Sequence, residues 1–85
     1  MFLHLGGDVL ISQDRIIAIL DLESAMQNPT SVTFLNGIKK NKNLNYISEP
    51  GKEKSLVITK QGNFFSPISS TTLLKRSNLK DLYEE

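Results

Sequence analysis

The chain has no cysteine and no tryptophan, and it has one histidine and three prolines among 85 residues. Without cysteine there are no disulfide staples and no thiolate metal sites, which fits a reducing cytoplasm. His4 sits among leucines with no second imidazole or thiolate to share a transition metal, so it reads as a structural or surface residue. No metal and no cofactor is expected. No apolar run approaches the roughly 18 residues that a membrane helix needs. The opening has no basic segment, and Gly6-Gly7-Asp8 cuts its apolar stretch short, so it does not read as a signal peptide. Positive charge is scarce at the front, where Arg15 is the only lysine or arginine before Lys39.

Groupings that could carry catalysis are equally sparse. Ser66, Ser69 and Ser70 have no evident base partner, and caps and turns account for them. Asp14, Asp21 and Glu23 read as turn and surface residues, with nothing in the sequence to gather them in a cleft. Gly6-Gly7 lacks the spacing of a dinucleotide or phosphate loop. The expectation is a protein that is not an enzyme and works through a binding surface.

What is present is a set of short apolar runs separated by turns. Phe2–Leu5, Val9–Ser12 and Ile16–Leu20 read as strands, the first two joined by Gly6-Gly7-Asp8. The third is apolar on both faces, so it is either central to the fold or covered by another subunit. Asn28-Pro29 reads as a helix cap followed by proline at the first helical position. Behind it Val32, Leu35 and Ile38 make an apolar stripe that ends at Lys39, Lys40 and Lys42. That trio is read either as the solvated end of a helix or as part of a basic surface. Further strands are expected over 43–48, Leu56–Thr59 and Phe64–Ser66, with Pro50-Gly51 and Lys60–Asn63 as turns. Ser69 or Ser70 caps a last helix running to Lys75 or Arg76. Tyr46, Phe64 and Phe65 are expected in the core, with a subunit interface as the other place for them.

These patterns predict an α/β (α+β) fold with a small, mostly antiparallel sheet and two short helices. One domain is expected over 1–78, with an acidic tail over 79–85. A domain of this size buries only a little over roughly 60% of its unfolded surface, and association is a common way to add stability.

Net charge is +1, but its distribution is uneven. Residues 1–28 carry Asp8, Asp14, Asp21 and Glu23 against Arg15, whereas 29–60 carry six lysines against Glu49 and Glu53. Arg15 has two readings. It is a salt-bridge partner of Asp14 or Asp21 or a plain turn residue, or it is a guanidinium whose planar fork grips phosphate. In a closed homo-oligomer one such arginine becomes a regular row of cations, each contact adding a salt-dependent increment of affinity for a polyanion.

Several segments together resemble the extracellular matrix regulatory proteins of Gram-positive bacteria, the RemA/RemB type, closest to the RemB branch. They are His4–Asp8, Ser12–Arg15 with the isoleucine-rich run behind it, Glu23-Ser24-Ala25 and Pro50-Gly51-Lys52. Further on come Leu56–Thr59, Phe65–Ser70 and Leu74-Lys75-Arg76. The resemblance implies a ring-forming α/β homo-oligomer. For the RemA branch it implies a DNA-binding activator of biofilm matrix and osmoprotection operons. It also implies phosphate contacts from an arginine that falls on Arg15, and from a paired-arginine loop that falls on Lys52 and Glu53. Lysine at 52 keeps the charge without the fork, and glutamate at 53 reverses it.

The expectation is a non-enzymatic, cytoplasmic transcriptional regulator that binds double-stranded DNA through a symmetric row of Arg15 and Lys52, supported by Lys54, Lys39 and Lys40. The alternative is an oligomeric interaction module, partner to a related matrix regulator, with no DNA binding of its own. A weaker third reading is an anion sensor at Gly6-Gly7 and the Ser69-Ser70 helix start.

Overall fold

A computed structural model describes residues 1–40 and 43–77. The expected acidic tail over 79–85 and the place of Lys42 lie outside the described residues. Six strands and three helices follow in the order β1 (Phe2–Gly6), β2 (Val9–Ser12), β3 (Ile16–Asp21), α1 (Leu22–Ala25), α2 (Pro29–Lys39), β4 (Leu44–Tyr46), β5 (Ser55–Thr59), β6 (Gly62–Ser66) and α3 (Ser70–Arg76). A 3-10 turn over Gln13–Arg15 links β2 to β3.

The helices start where side chains satisfy their first amides. Asn28 accepts from the backbone N–H groups of Thr30 at 2.9 Å and Ser31 at 3.3 Å, with Pro29 opening α2. Asp21 accepts from the Ser24 amide and hydroxyl at 3.0 and 2.8 Å and caps α1. This four-residue helix is too short to leave a periodic pattern, and it adds a third to the two helices expected. Ser69 caps α3 by accepting from the Thr72 amide at 3.2 Å. Its hydroxyl is therefore committed to the helix and takes up the Thr72 amide of that start.

The strands form two sheets. β1 and β2 make an antiparallel hairpin, and the other four are ordered β3-β5-β6-β4. All pairings are antiparallel except β4 with β6. The four-stranded sheet is covered on both faces, as side-chain alternation along its central strands requires. On one face Val57, Phe64, Ile16 and Ile19 meet the hairpin (Leu3, Leu5, Val9, Ile11) and Leu73 of α3. On the other, Leu56, Ile58 and Phe65 meet Leu22, Leu35 and Ile38 of α1 and α2. The result is three layers: hairpin with α3, sheet, and helix pair.

This arrangement explains the doubly apolar β3. It is an edge strand, but its own chain covers both faces. Its alternation is also broken, because the ladder slips between Ile16 and Ala18. A bulge there sends Ile17 outward, 52% exposed, while Ile19 packs inside. Of the three aromatics, Phe65 is fully core and Phe64 packs against the hairpin side. Tyr46 is not core: it is exposed, with its ring tilted against Phe65 at a centroid distance of 5.0 Å.

Among the described residues no ladder bond joins the hairpin to the larger sheet. The buried Ser66 hydroxyl ties them by donating to the Leu5 carbonyl at 2.6 Å and accepting from the Ile68 amide at 3.0 Å. Gly6 adopts φ 120°, and a Cβ there would press on Pro67 at 3.2 Å and Ile47 at 3.3 Å. No described helix is long and apolar enough to cross a membrane.

Candidate nucleic-acid interface

The 3-10 turn presents Arg15, which is exposed. The neighbouring carboxylate does not capture it: Asp14 instead accepts a short hydrogen bond from the Ser12 hydroxyl. That bond is the main cause holding Asp14 below its ordinary value, with the Arg15 charge adding to it and desolvation opposing it. Among the described residues no carboxylate forms an ion pair with the Arg15 guanidinium. This differs from the expected salt bridge to Asp14 or Asp21, while Arg15 does sit on a turn. Asp21 is engaged with Ser24 at the far end of β3.

The turn is anchored from the side. The Lys60 amide donates to the Arg15 carbonyl at 2.9 Å, which sets the β5–β6 hairpin tip, Lys60-Gln61, beside the arginine. The tip is stiff. Thr59 donates its hydroxyl to the Gly62 carbonyl at 2.6 Å and accepts from the Gln61 amide at 3.1 Å. Gly62 has φ 142°, and any Cβ there would meet the Asn43 carbonyl oxygen at 2.9 Å. Arg15, Gln61, Ser12 and Asp14 line a shallow concavity of about 340 Å³ with Phe2, Leu10 and Ile11 of the hairpin.

The other expected cations lie elsewhere. Ile16 pairs with Thr59 at one end of the β3–β5 ladder, and Asp21 pairs with Ser55 at the other. Lys52 and Lys54 precede Ser55, so they sit at the end opposite Arg15, about 20 Å away at roughly 3.4 Å per strand residue. The chain does not bring Arg15 and Lys52 together by itself. Lys54 is fixed through its backbone, donating to the Ser66 carbonyl at 2.8 Å and accepting from the Leu22 amide at 3.1 Å. Beside it, Glu53 folds back to accept from the Gly51 amide at 2.8 Å, so its carboxylate braces the loop.

Lys39 and Lys54 face a common cavity of about 550 Å³ between α1, α2 and the loop before β5. Its floor is apolar (Leu22, Leu35, Phe65), and Asp21, Glu23 and Glu53 share its rim with the two lysines. Lys40 is exposed at the C-terminal cap of α2. The five expected site residues thus fall on two sides: Arg15 apart from the other four at one sheet end, and Lys52 and Lys54 at the other, where Lys54 shares a cavity with Lys39 from the end of α2 that also carries Lys40. Lys60 and Gln61 were missed. Their position next to Arg15 comes from strand pairing, and the only local sign of it is the hairpin turn itself.

The fold and this surface define a small α+β protein, with Arg15, Lys52, Lys54 and the outer face of its hairpin turned to solvent. Among the described residues no cluster of His, Cys, Asp or Glu could hold a metal ion. A family profile described as extracellular matrix regulatory protein A-like matches residues 2–76. The chain is 40% identical over 77 residues to extracellular matrix regulatory protein B of Bacillus subtilis (strain 168), covering 91% of this chain and 90% of that protein. The chain belongs to the RemA-like family of extracellular matrix regulatory proteins.

Proposed function

We propose that this chain is a cytoplasmic, DNA-binding transcriptional regulator of extracellular matrix and biofilm genes, acting as a ring-like homo-oligomer. The observation that carries the reading is the exposed Arg15 guanidinium, in an ion pair with no carboxylate among the described residues and displayed on a turn pinned by Lys60. Its planar fork suits phosphate. A single copy offers only one such group at that end of the sheet. Repetition around a closed assembly turns it into a track, and the Lys52 and Lys54 end of one copy beside the Arg15 end of the next makes the track continuous. Lys39 and Lys40 contribute to the general basic field. No catalytic step is part of this function.

The test is a titration of double-stranded DNA at several salt concentrations, with the assembly state measured by sedimentation. Affinity is expected to fall with salt at a log–log slope of about −0.9 per phosphate contact. A protein that stays monomeric, or that binds no DNA at low salt, overturns the reading.

A second reading is an interaction module that partners a related matrix regulator. Met26 and Phe34 favour it, since both are exposed at the helix layer, and Phe34 borders a groove with Leu20, Ala25 and Asn28. Under this reading Phe34→Ser abolishes co-elution with the related regulator, and Arg15→Ala leaves it intact.

A further inference from the structure

We infer that the concavity around Arg15 reads A·T base pairs from the major groove, with Gln61 addressing adenine and Leu10 and Phe2 receiving thymine methyl groups. The inference rests on the DNA-binding reading above and adds base selectivity to a contact otherwise made to phosphate.

Three kinds of group meet in this one hollow. Arg15 supplies the charge that brings a polyanion to it. Gln61 supplies a carboxamide, which presents one donor and one acceptor side by side. That pair matches the N7 acceptor and N6 donor of adenine, and the match exists only in the major groove. Leu10 and Phe2 supply apolar surface and are 59% and 64% exposed. They lie on the outer face of the β1–β2 hairpin, where Phe2 is level with Ser12 and Leu10 with His4. An exposed leucine and phenylalanine beside a cation are costly next to water, but they suit the C5 methyl of thymine, the apolar group a base pair offers in that groove.

Rigidity supports base reading in place of loose electrostatic contact. The two Thr59 hydrogen bonds fix the backbone that carries Gln61, and the Lys60 amide locks that tip to the arginine turn. The backbones that carry the polar and cationic groups are therefore held in a constant relation, as an address on a base edge demands. The two-stranded β5–β6 tip that carries Gln61 also fits a groove about 12 Å wide, with Phe2 and Leu10 approaching from the neighbouring hairpin. The one carboxylate in the hollow, Asp14, is occupied by the Ser12 hydroxyl.

The test uses the full chain and three duplexes of one A·T-rich sequence: unmodified, with uracil replacing thymine, and with 7-deazaadenine replacing adenine. Uracil is expected to weaken binding about fourfold for each methyl contacted. Loss of the adenine N7 is expected to weaken it about fivefold or more. The salt slope stays the same for all three duplexes. Gln61→Ala becomes indifferent to 7-deazaadenine and keeps its response to uracil, whereas the double variant Phe2→Ala/Leu10→Ala does the reverse and Leu10→Ala alone shows a reduced response to uracil. Wild-type binding that ignores both base changes overturns the inference while leaving the phosphate reading standing. A changed sedimentation coefficient for free Leu10→Ala also overturns it, by making the apolar pair a subunit contact. If the unmodified duplex fails to bind at low salt, the DNA reading falls and this inference with it.

Discussion

The backbone amide of Lys60 donates to the carbonyl of Arg15 at 2.9 Å, so the tip of one hairpin and the turn before β3 are held as a unit. The two residues are 45 positions apart in the chain, and sheet pairing makes them neighbours. This unit gives the chain an organised cationic corner.

Arg15→Ala should reduce the salt slope of DNA binding by about 0.9 for each copy in contact and weaken all sequences by a similar factor. Lys60→Ala should act in the same direction, because its side chain leaves the same tip. Anisotropy titrations at four or five salt concentrations measure both. An unchanged slope in Arg15→Ala removes the guanidinium from the interface.

Glu53→Gln should raise DNA affinity. The amide oxygen of glutamine can still accept from the Gly51 amide, so the loop keeps its brace while a negative charge beside Lys52 and Lys54 disappears. The expected gain is larger at low salt than at high salt. Equal affinity for both proteins at low salt places this loop away from the nucleic acid.

Ser66→Ala should destabilise the fold by about 1–3 kcal/mol, since it strips partners from the Leu5 carbonyl and the Ile68 amide in a buried setting. Chemical denaturation with an unchanged slope checks the magnitude.

Two glycine-to-alanine changes should have opposite signs. Gly6→Ala forces a side chain into φ 120° and against Pro67 and Ile47, and should cost about 1–3 kcal/mol. Gly37→Ala lies within α2 with nothing within 4 Å of the added carbon, and should stabilise by about 0.5–1 kcal/mol. Thermal melts of the two variants decide.

Stability should decline at acid pH through Asp14 and Asp21. Both carboxyls are held below the ordinary aspartate value of 3.8, Asp14 chiefly by the Ser12 hydroxyl and Asp21 by the Ser24 hydroxyl and amide. A lowered folded value means their contribution is complete above about pH 4 and is lost as pH falls through the folded value. Asp21→Asn should flatten that acid limb in denaturation midpoints measured between pH 2 and 5, and a limb unchanged by the substitution contradicts the assignment.

Much of the architecture was legible because its signals are local. Asn28-Pro29 and Ser69 announce helix starts through their own side chains, and the turns around Gly7 and Gln61 announce hairpins. Other features arise only from packing. The slip that turns Ile17 outward depends on how β3 meets β5, and the parallel register of β4 beside β6 depends on the return of the chain through residues 47–61, which hold β5. The site was legible in part. Arg15 stood out as an isolated cation, but its companions Lys60 and Gln61 become neighbours only through the fold. Lys52 looked like a companion because both fall on motif positions, yet the ladder sets them at opposite ends.

The β1–β2 hairpin is fastened to the larger sheet by side chains and carries no rung of its ladder. Its opening breaks no rung of the β3-β5-β6-β4 pairing, but it must uncover Leu3, Leu5 and Val57. Deuterium uptake should accordingly be faster at the amides of Leu3 and Leu10 than at those of Val57 and Phe65. The layer that bears Phe2 and Leu10 would then be the part of the protein that breathes first.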